Sequence, residues 1–287
     1  MTRLGLHANP LSTRALDLAR NVAEKLKGRA ELVYSRELGQ RLGVSGIPLE
    51  GLEADLVISL GGDGSILRTV RRTPCPVLGI KAGTVGFLAE VDPERDSLDA
   101  ALERVLRGDY YTEERMRIGT QVGERVLPDA LNEVVVHAAQ VARMRHFELS
   151  VDGKPVGRLR ADGMIVASPT GSTSYAMSCG GPAVDPALDA ILVTALAPFA
   201  SAPRTLVVSP YREVSLRCIG DDRPTVLVID GQEEVPLGAG ETVRCYRSGR
   251  RARLVRFSPR FFQRLQYESI VPWDPPENPH ASLPSSS

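Results

Sequence analysis

Gly61-Gly62-Asp63-Gly64-Ser65 stands where an apolar run, Asp55 to Leu60, gives way to helical spacing that begins near Ile66. Glycines strip side chains from the turn, so the backbone is free to point its N–H groups at a phosphate. The one charged residue among them is an acid. A carboxylate inside a phosphate cradle is an electrostatic conflict unless it binds a metal, orients an attacking hydroxyl, or does both. The spacing therefore argues for phosphoryl transfer centred on Asp63. The plain structural alternative is a tight strand-to-helix turn in which Asp63 caps the helix.

A second block is dense in hydroxyls. Asp162-Gly163 opens an apolar strand, and Ser168-Pro169-Thr170-Gly171-Ser172-Thr173-Ser174-Tyr175 follows it, running on through Ala176, Met177 and Ser178 to Gly180-Gly181-Pro182. Small polar side chains interleaved with glycine can wrap a sugar and its phosphates, and Tyr175 offers a flat face for a base. Long loops in compact domains are more often functional than structural, which favours a ligand role over a mere connection. Asn132-Glu133 places an amide and a carboxylate at the entrance of an apolar strand, suited to a ribose diol or simply to water. Ile229-Asp230-Gly231-Gln232 ends a strand in a turn and, alone, is an ordinary hairpin.

Other chemistries find little support. No G-x-x-x-x-G-K-[ST] loop occurs, and Gly62-Asp63-Gly64 does not reach the third glycine of the dinucleotide fingerprint. His7, His137, His146 and His280 show no metal-ligand spacing with one another or with cysteine, and read as strand or surface residues. Ser172 lies in Gly-Ser-Thr-Ser rather than in a nucleophile elbow.

The elements that must hold these residues fall into two textures. Residues 1 to about 110 alternate strand and helix: a strand at Arg3 to Ala8, a helix capped by Ser12 or Thr13 and ended by Gly28, strands at Glu31 to Ser35, Asp55 to Leu60 and Pro76 to Ile80, and a helix near Leu98 to Leu106. Such alternation implies an α/β domain with a parallel sheet, whose ligands sit beyond the carboxyl ends of the strands. From 111 to 252 the reading is a largely antiparallel all-β domain, with a strand at Arg115 to Val122, another at Ala130 to Ala138, a hairpin at Asp152-Gly153, and one helix, Pro186 to Leu196. The segment 253–273 is expected to return to the first domain, and the Pro- and Ser-rich tail 274–287 to be disordered.

Composition sets outer limits. At 287 residues there is material for two cores. Lys plus Arg equals Asp plus Glu, 35 each, so no global field recruits nucleic acid or an anionic membrane. The four cysteines are far apart and unpaired in sequence, and no apolar run or leader pattern stands out, which together suggest a cytoplasmic protein with reduced thiols.

Taken together, the ordered set Gly61 to Ser65, Pro76 to Gly86 with Phe87-Leu88, Asn132-Glu133, Asp162-Gly163 with Ser168 to Tyr175, and Asp230-Gly231-Gln232 resembles the bacterial NAD kinases. The resemblance spans about Leu56 to Gln232. It implies phosphorylation of the 2′-hydroxyl of the adenosine ribose of NAD, with ATP or another phosphoryl donor such as polyphosphate and a divalent metal, Mg or Mn. By resemblance Asp63 is the general base, Gly64 and Arg68 border the phosphates, and Asn132 and Glu133 hold ribose or adenine groups. Thr173, Ser174, Tyr175, Ala176, Met177 and Ser178 line the dinucleotide site, and Asp162 meets the nicotinamide-side amide. Arg160, Gln232 and the more variable Arg143 match further ligand positions, no residue is assigned as a metal ligand, and a homodimer or homotetramer is implied. An Asp carboxylate titrates near ~3.9 in water, so it is a feeble base toward a sugar hydroxyl and would chiefly orient it, accepting the proton late in a loose transition state.

Two segments depart from the family pattern. Lys81 stands where the family usually has Asn, a cation that could contact donor phosphate, and Phe199 to Thr205 replaces a longer family segment, with only Arg204 aligning. A lipid kinase of related architecture shares the glycine-Asp-glycine turn but does not call for the hydroxyl-rich block or Asn132-Glu133. A non-catalytic dinucleotide sensor has no use for Asp63.

Overall fold

Apolar strands buried on both faces, alternating with amphipathic helices, assemble the first part of the chain into a parallel sheet. The computed structural model describes residues 2–83, 86–140, 143–199, 204–220, 223–259 and 261–267. In order come β1 (Arg3–Ala8), α1 (Thr13–Leu26), β2 (Glu31–Ser35), α2 (Arg36–Leu42), β3 (Gly46–Ile47), β4 (Leu56–Gly61), α3 (Asp63–Arg72), β5 (Val77–Lys81), α4 (Leu98–Arg107) and β6 (Tyr111–Arg115). Serine side chains start three of the helices, with Ser12, Ser35 and Ser97 each accepting from a first-turn amide. One face of the sheet buries Leu4, Leu6, Ile58 and Leu60 against α1 and α4, through Ala15, Ala19, Leu102 and Val105. The other packs Val57 and Val77 against Ile66, Leu67 and Val70 of α3.

The chain then builds β7 (Ile118–Val122), β8 (Arg125–Ala130), β9 (Glu133–Ala138), β10 (Arg145–Val151), β11 (Lys154–Ala161), β12 (Gly163–Ala167), the short α5 (Tyr175–Ser178), β13 (Ile191–Leu196), β14 (Leu206–Val208), β15 (Val214–Ile219), β16 (Thr225–Ile229), β17 (Glu233–Leu237) and β18 (Thr242–Arg247). They form two six-stranded antiparallel sheets, ordered β11-β10-β15-β18-β7-β8 and β14-β13-β12-β9-β16-β17. Inward residues of both, among them Phe147, Leu216, Val243, Val136, Val166 and Leu227, make one core. Last comes β19 (Ala252–Arg256), which inserts into the first sheet parallel to β5 and antiparallel to β6, giving the order β3-β2-β1-β4-β5-β19-β6. The expected parallel α/β layer and antiparallel β layer are both present, and of the segment expected to return to the first domain, the stretch up to Arg256 lies in its sheet.

Several local expectations are corrected. Pro186 to Leu196 is not a helix: Ile191–Leu196 is a strand between β12 and β14. A short run apolar on every side carries no period that separates helix from strand. Arg115 to Val122 is two strands in two different sheets, and Ala130 to Ala138 breaks at Leu131-Asn132. The helix after the glycine turn starts at Asp63 rather than near Ile66, and its cap is Gly62, so Asp63 is not the cap. Strands β8 and β17 each carry a proline, Pro128 and Pro236, and both lie at sheet edges, where a missing N–H is tolerated. Beyond Phe257 the chain forms a separate unit whose described part is α6 (Phe261–Tyr267), with the Phe261 and Phe262 rings edge to face at 5.2 Å. Residues 268–273 and the expected tail 274–287 lie outside the described residues.

The returning strand carries a buried cation. Arg256 donates to Glu113 at 2.8 Å and to the Leu88 carbonyl at 2.9 Å, and lies 3.3 Å from Glu90, whose other oxygen accepts from the Phe257 amide. Removing the guanidinium leaves the fully buried Glu90 carboxylate without this cation and Glu113 with Arg115 alone, so Arg256→Met is expected to cost about 3–5 kcal/mol, read as a lower urea midpoint at unchanged slope.

Candidate active site

The carboxyl end of β4 delivers Gly61 and Gly62, and α3 begins at Asp63. The Asp63 carboxylate accepts two backbone hydrogen bonds from the loop after β5, from Phe87 N–H at 2.7 Å and Leu88 N–H at 3.0 Å. Gly86 makes this approach possible, because a Cβ there would lie 2.6 Å from Asp63 Oδ1. The acid is thus aimed by its own backbone surroundings. Beside it a cleft of about 380 Å³ is lined by His7, Asn9, Gly62, Gly64, Ser65, Arg68 and the turn Asp230 to Gln232. A larger, arginine-rich cleft of about 830 Å³ shares Arg68 and Gln232 with it. His7 is neutral at pH 7: burial, reinforced by Arg68 and Arg72 against Glu37, pushes it down to about 4.

From this turn, hydrogen bonds lead into the β layer. Gln232 Nε2 donates to the Gly64 carbonyl at 3.2 Å, which joins the β16–β17 turn to the head of α3. Its neighbour Asp230 is fully buried at the side chain and accepts three successive amides, Leu131 at 2.8 Å, Asn132 at 2.8 Å and Glu133 at 3.1 Å. Those bonds explain the break between β8 and β9, since amides turned toward Asp230 cannot also serve a ladder. On the opposite side, Ser168 N–H donates to the Asn132 carbonyl at 2.8 Å. Gly171 packs so closely that a Cβ would sit 2.1 Å from that same oxygen. The hydroxyl-rich segment is therefore seated directly on Asn132.

Glu133 accepts from Ser174 Oγ at 3.0 Å through one oxygen, while Oε2 is buried with no partner among the described residues. Burial, with the nearby Asp230 charge adding to it and the Ser174 hydrogen bond opposing it, raises its pKa to about 8. At neutral pH Glu133 is thus an acid that can donate as well as accept. Tyr175 is 41 % exposed, and Asp162 contributes to raising its phenol, after burial and Cys179. Ala176 is buried; Thr173 and Met177 are half-buried and Ser178 is exposed.

The structure thus links Asp63, Gly64, Arg68, Gln232, Asn132, Glu133, Ser174 and the residues that follow Ser174. Arg160 lies on edge strand β11 with its guanidinium 4.8 Å from the Phe199 ring centroid, and Arg143 is exposed just before β10; neither joins this hydrogen-bonded set. Lys81 is engaged with Asp92 at 2.9 Å and only 13 % exposed at the side chain, so it does not stand free for a phosphate. Burial works against the Asp92 carboxylate, but hydrogen bonds from Lys81 and the Glu94 amide outweigh it and hold its pKa below the usual range. Sequence reasoning placed Asp230, Gly86 and Ser168 within motifs but named none of them as a site residue, and it did not single out Arg71. The signal for Asp230 was an acid placed between a fully apolar strand and a glycine.

Comparison with known proteins matches the chain in two parts. Residues 4–110 match the family model described as the ATP-NAD kinase N-terminal domain, and residues 131–257 match the ATP-NAD kinase C-terminal domain. The curated NAD kinase of Methanothermobacter thermautotrophicus is 40% identical over 278 residues, covering 94% of this chain and 97% of that protein. Among solved structures, an NAD kinase from Archaeoglobus fulgidus in complex with ATP superposes with a TM-score of 0.74 at 29% identity, over 93% of this chain and 98% of that one. Yeast NADH kinase complexed with NADH shares the fold, with a TM-score of 0.86 at 20% identity over 97% of this chain and 90% of that one. The curated relative is archaeal, so the bacterial affinity suggested by the motifs is not supported.

The titration of Glu133 has a direction. In the unfolded chain the carboxyl ionises near 4.5, so the stability contributed by the neutral buried acid is complete below that value and is lost as pH rises toward about 8. Glu133→Gln keeps the shape without the titration. Its melting temperature is expected to gain on that of the unmodified protein as pH increases from about 5 to about 9, checked by parallel melting curves.

Proposed function

The chain belongs to the NAD kinase family, and on that premise we propose that it transfers a phosphoryl group to the 2′-hydroxyl of the adenosine ribose of NAD, giving NADP. The donor is ATP or another phosphoryl compound such as polyphosphate. The observation that carries this reading is the set of hydrogen bonds that ties the Asp63 turn to the Asp230–Gln232 turn through Gln232, and that turn in its own right to Asn132 and Glu133 through Asp230, with Ser174 on Glu133. It sets an aimed carboxylate beside groups suited to a sugar diol, whereas a lipid headgroup would need no such array.

In the proposed mechanism Asp63 orients the attacking hydroxyl and takes its proton late, because a loose transition state needs little prior deprotonation. The amides of Phe87 and Leu88 fix the rotation of the carboxylate, which limits the lateral freedom of the nucleophile. Gly64 and Arg68 face the donor phosphates, where first-turn amides of α3 and a guanidinium offset negative charge. Asn132 and neutral Glu133 hold the ribose or the adenine, with Glu133 Oε2 donating to a ligand oxygen or nitrogen. Residues Thr173 to Ser178 line the dinucleotide, Asp162 accepts from the nicotinamide-side amide, and Gln232 closes the donor end. Arg160 and Arg143 have weaker support, since both are exposed away from the hydrogen-bonded set.

A divalent cation, Mg or Mn, would offset donor charge when bound. Among the described residues no three His, Cys, Asp or Glu side chains gather as a ligand set, which fits a cation carried in on the donor phosphates with its own waters. We place the protein in the cytoplasm, in keeping with its four free thiols. No described helix is long and apolar enough to cross a membrane. A homodimer or homotetramer is supported by exposed Leu206 and Val207 on edge strand β14 with Phe199 nearby in sequence, and sedimentation at several concentrations tests it.

Asp63→Asn is expected to lower NADP formation by about 10²–10⁴-fold while leaving NAD binding in place; undiminished turnover would remove Asp63 from the chemistry. Gly86→Ala should push the carboxylate off its aim and reduce kcat by about 10²-fold with KM for NAD little changed, checked by steady-state kinetics with ATP and magnesium.

A further inference from the structure

Asp230 does not belong to the expected set of ligand-contacting residues, yet the candidate site depends on it. It sits at φ +51, a left-handed conformation uncommon outside glycine, and is followed by Gly231 at φ +63. That backbone turns its carboxylate inward, where Oδ1 takes the amides of Asn132 and Glu133 and Oδ2 takes that of Leu131. Its own amide donates back to the Glu133 carbonyl at 2.9 Å. Ser168 holds the carbonyls of Leu131 and Asn132 from the other side, at 2.5 and 2.8 Å. A short non-strand segment is thereby gripped on both its donors and its acceptors.

The far side of Asp230 faces the helix that begins at Asp63. Arg71, near the last turn of α3, has Nε 3.6 Å from Asp230 Oδ2 and Nη2 3.1 Å from Glu233, and its side chain is 8 % exposed. Its Nη1 donates to Gln232 Oε1 at 3.4 Å. One guanidinium therefore reaches from the Asp63 helix to the carboxylate that holds the Leu131, Asn132 and Glu133 amides.

We propose that Asp230, braced by Arg71, is the positioning residue that sets the Asn132-Glu133 acceptor site relative to Asp63. The proposal rests on the NAD kinase reading above. Asp230 acts through the three amides it holds, which fix the backbone from which Asn132 and Glu133 project. Its charge has a second effect, because Glu133 lies against it. The charged groups facing Asp230 are Arg71 on α3, Arg117 before β7 and Glu133 on β9, with Glu233 on β17 sharing Arg71. Burial is the first cause that raises the Glu133 pKa and the Asp230 charge adds to it, while burial also pushes the Asp230 carboxyl up against its three amides and Arg71.

The test uses the full chain, with NAD titrated calorimetrically across pH alongside steady-state NADP formation. Asp230→Asn leaves one acceptor oxygen and places an amide N–H₂ against backbone N–H groups, so NAD affinity is expected to weaken at least about tenfold. The alkaline limb of the NAD-binding profile, set by Glu133 near about 8, is expected to move to lower pH, since a neighbouring negative charge is gone. A purely structural role would reduce the active fraction and leave that limb in place, and this outcome overturns the proposal. Arg71→Met guards against a variant that does not fold. It keeps the three amides on Asp230 but loosens their tie to α3, so kcat should fall about tenfold or more with NAD affinity changed by less than about threefold. Unaltered kcat in Arg71→Met likewise overturns the brace. If the unmodified protein binds NAD but forms no NADP, the kinase reading fails while the binding profile still reads Asp230.

Discussion

Charge taken out of water has to be met by opposite charge and by directed donors, and the seam between the parallel sheet and the antiparallel sheets is built from such meetings. Arg71 reaches Glu233 and flanks Asp230, and Arg115 reaches Glu113 and Thr170, while within the first sheet Arg256 lies among Glu90, Glu113 and the Leu88 carbonyl. Arg117 gives Nη2 to the Val70 carbonyl at the end of α3. Burial drives the pKa values of Arg115 and Arg117 downward, though a guanidinium has ample reserve to stay charged. Apolar packing could glue two layers together in several registers. Paired guanidiniums and carboxylates admit one.

The aim of Asp63 inherits that single register. Its carboxylate is fixed by the amides of Phe87 and Leu88, and the carbonyl of Leu88 is in turn held by Arg256 on β19. A residue near the end of the described chain thus stands two hydrogen bonds from the acid that the glycine turn presents. On the acceptor side the same logic runs through Asp230 to Asn132 and Glu133. Both halves of the proposed site stand where an element begins beside a loop, yet neither is left to its own flexibility, which is how a group-transfer site reaches the sub-ångström placement its chemistry requires.

Much of this was legible beforehand because local rules and function coincide. Alternating apolar strands and capped helices marked the parallel layer, and an acid among glycines at the end of β4 marked the turn. The order of the distant motifs carried the family. What escaped were features set by long-range partners. Ile191–Leu196 is buried in the middle of a sheet, so its sequence lacks the alternation that reveals a strand. The interruption at Leu131-Asn132 depends on an acid far along the chain, and no window around it contains that information. Lys81 looked available because its partner, Asp92, comes from a loop whose path the sequence does not disclose.

The return of β19 places the whole antiparallel region inside the first sheet as a closed excursion, with Ala252 opposite Arg115. Closing so long a loop adds little extra entropy per residue, so the arrangement is affordable at equilibrium. Its consequence lies in synthesis. Until nearly all of the chain has emerged, β5 is an unpaired edge and the Leu88 carbonyl lacks its guanidinium, so the nascent α/β layer can neither seal its flank nor aim its acid. The aim of Asp63 thus waits on a strand made long after it.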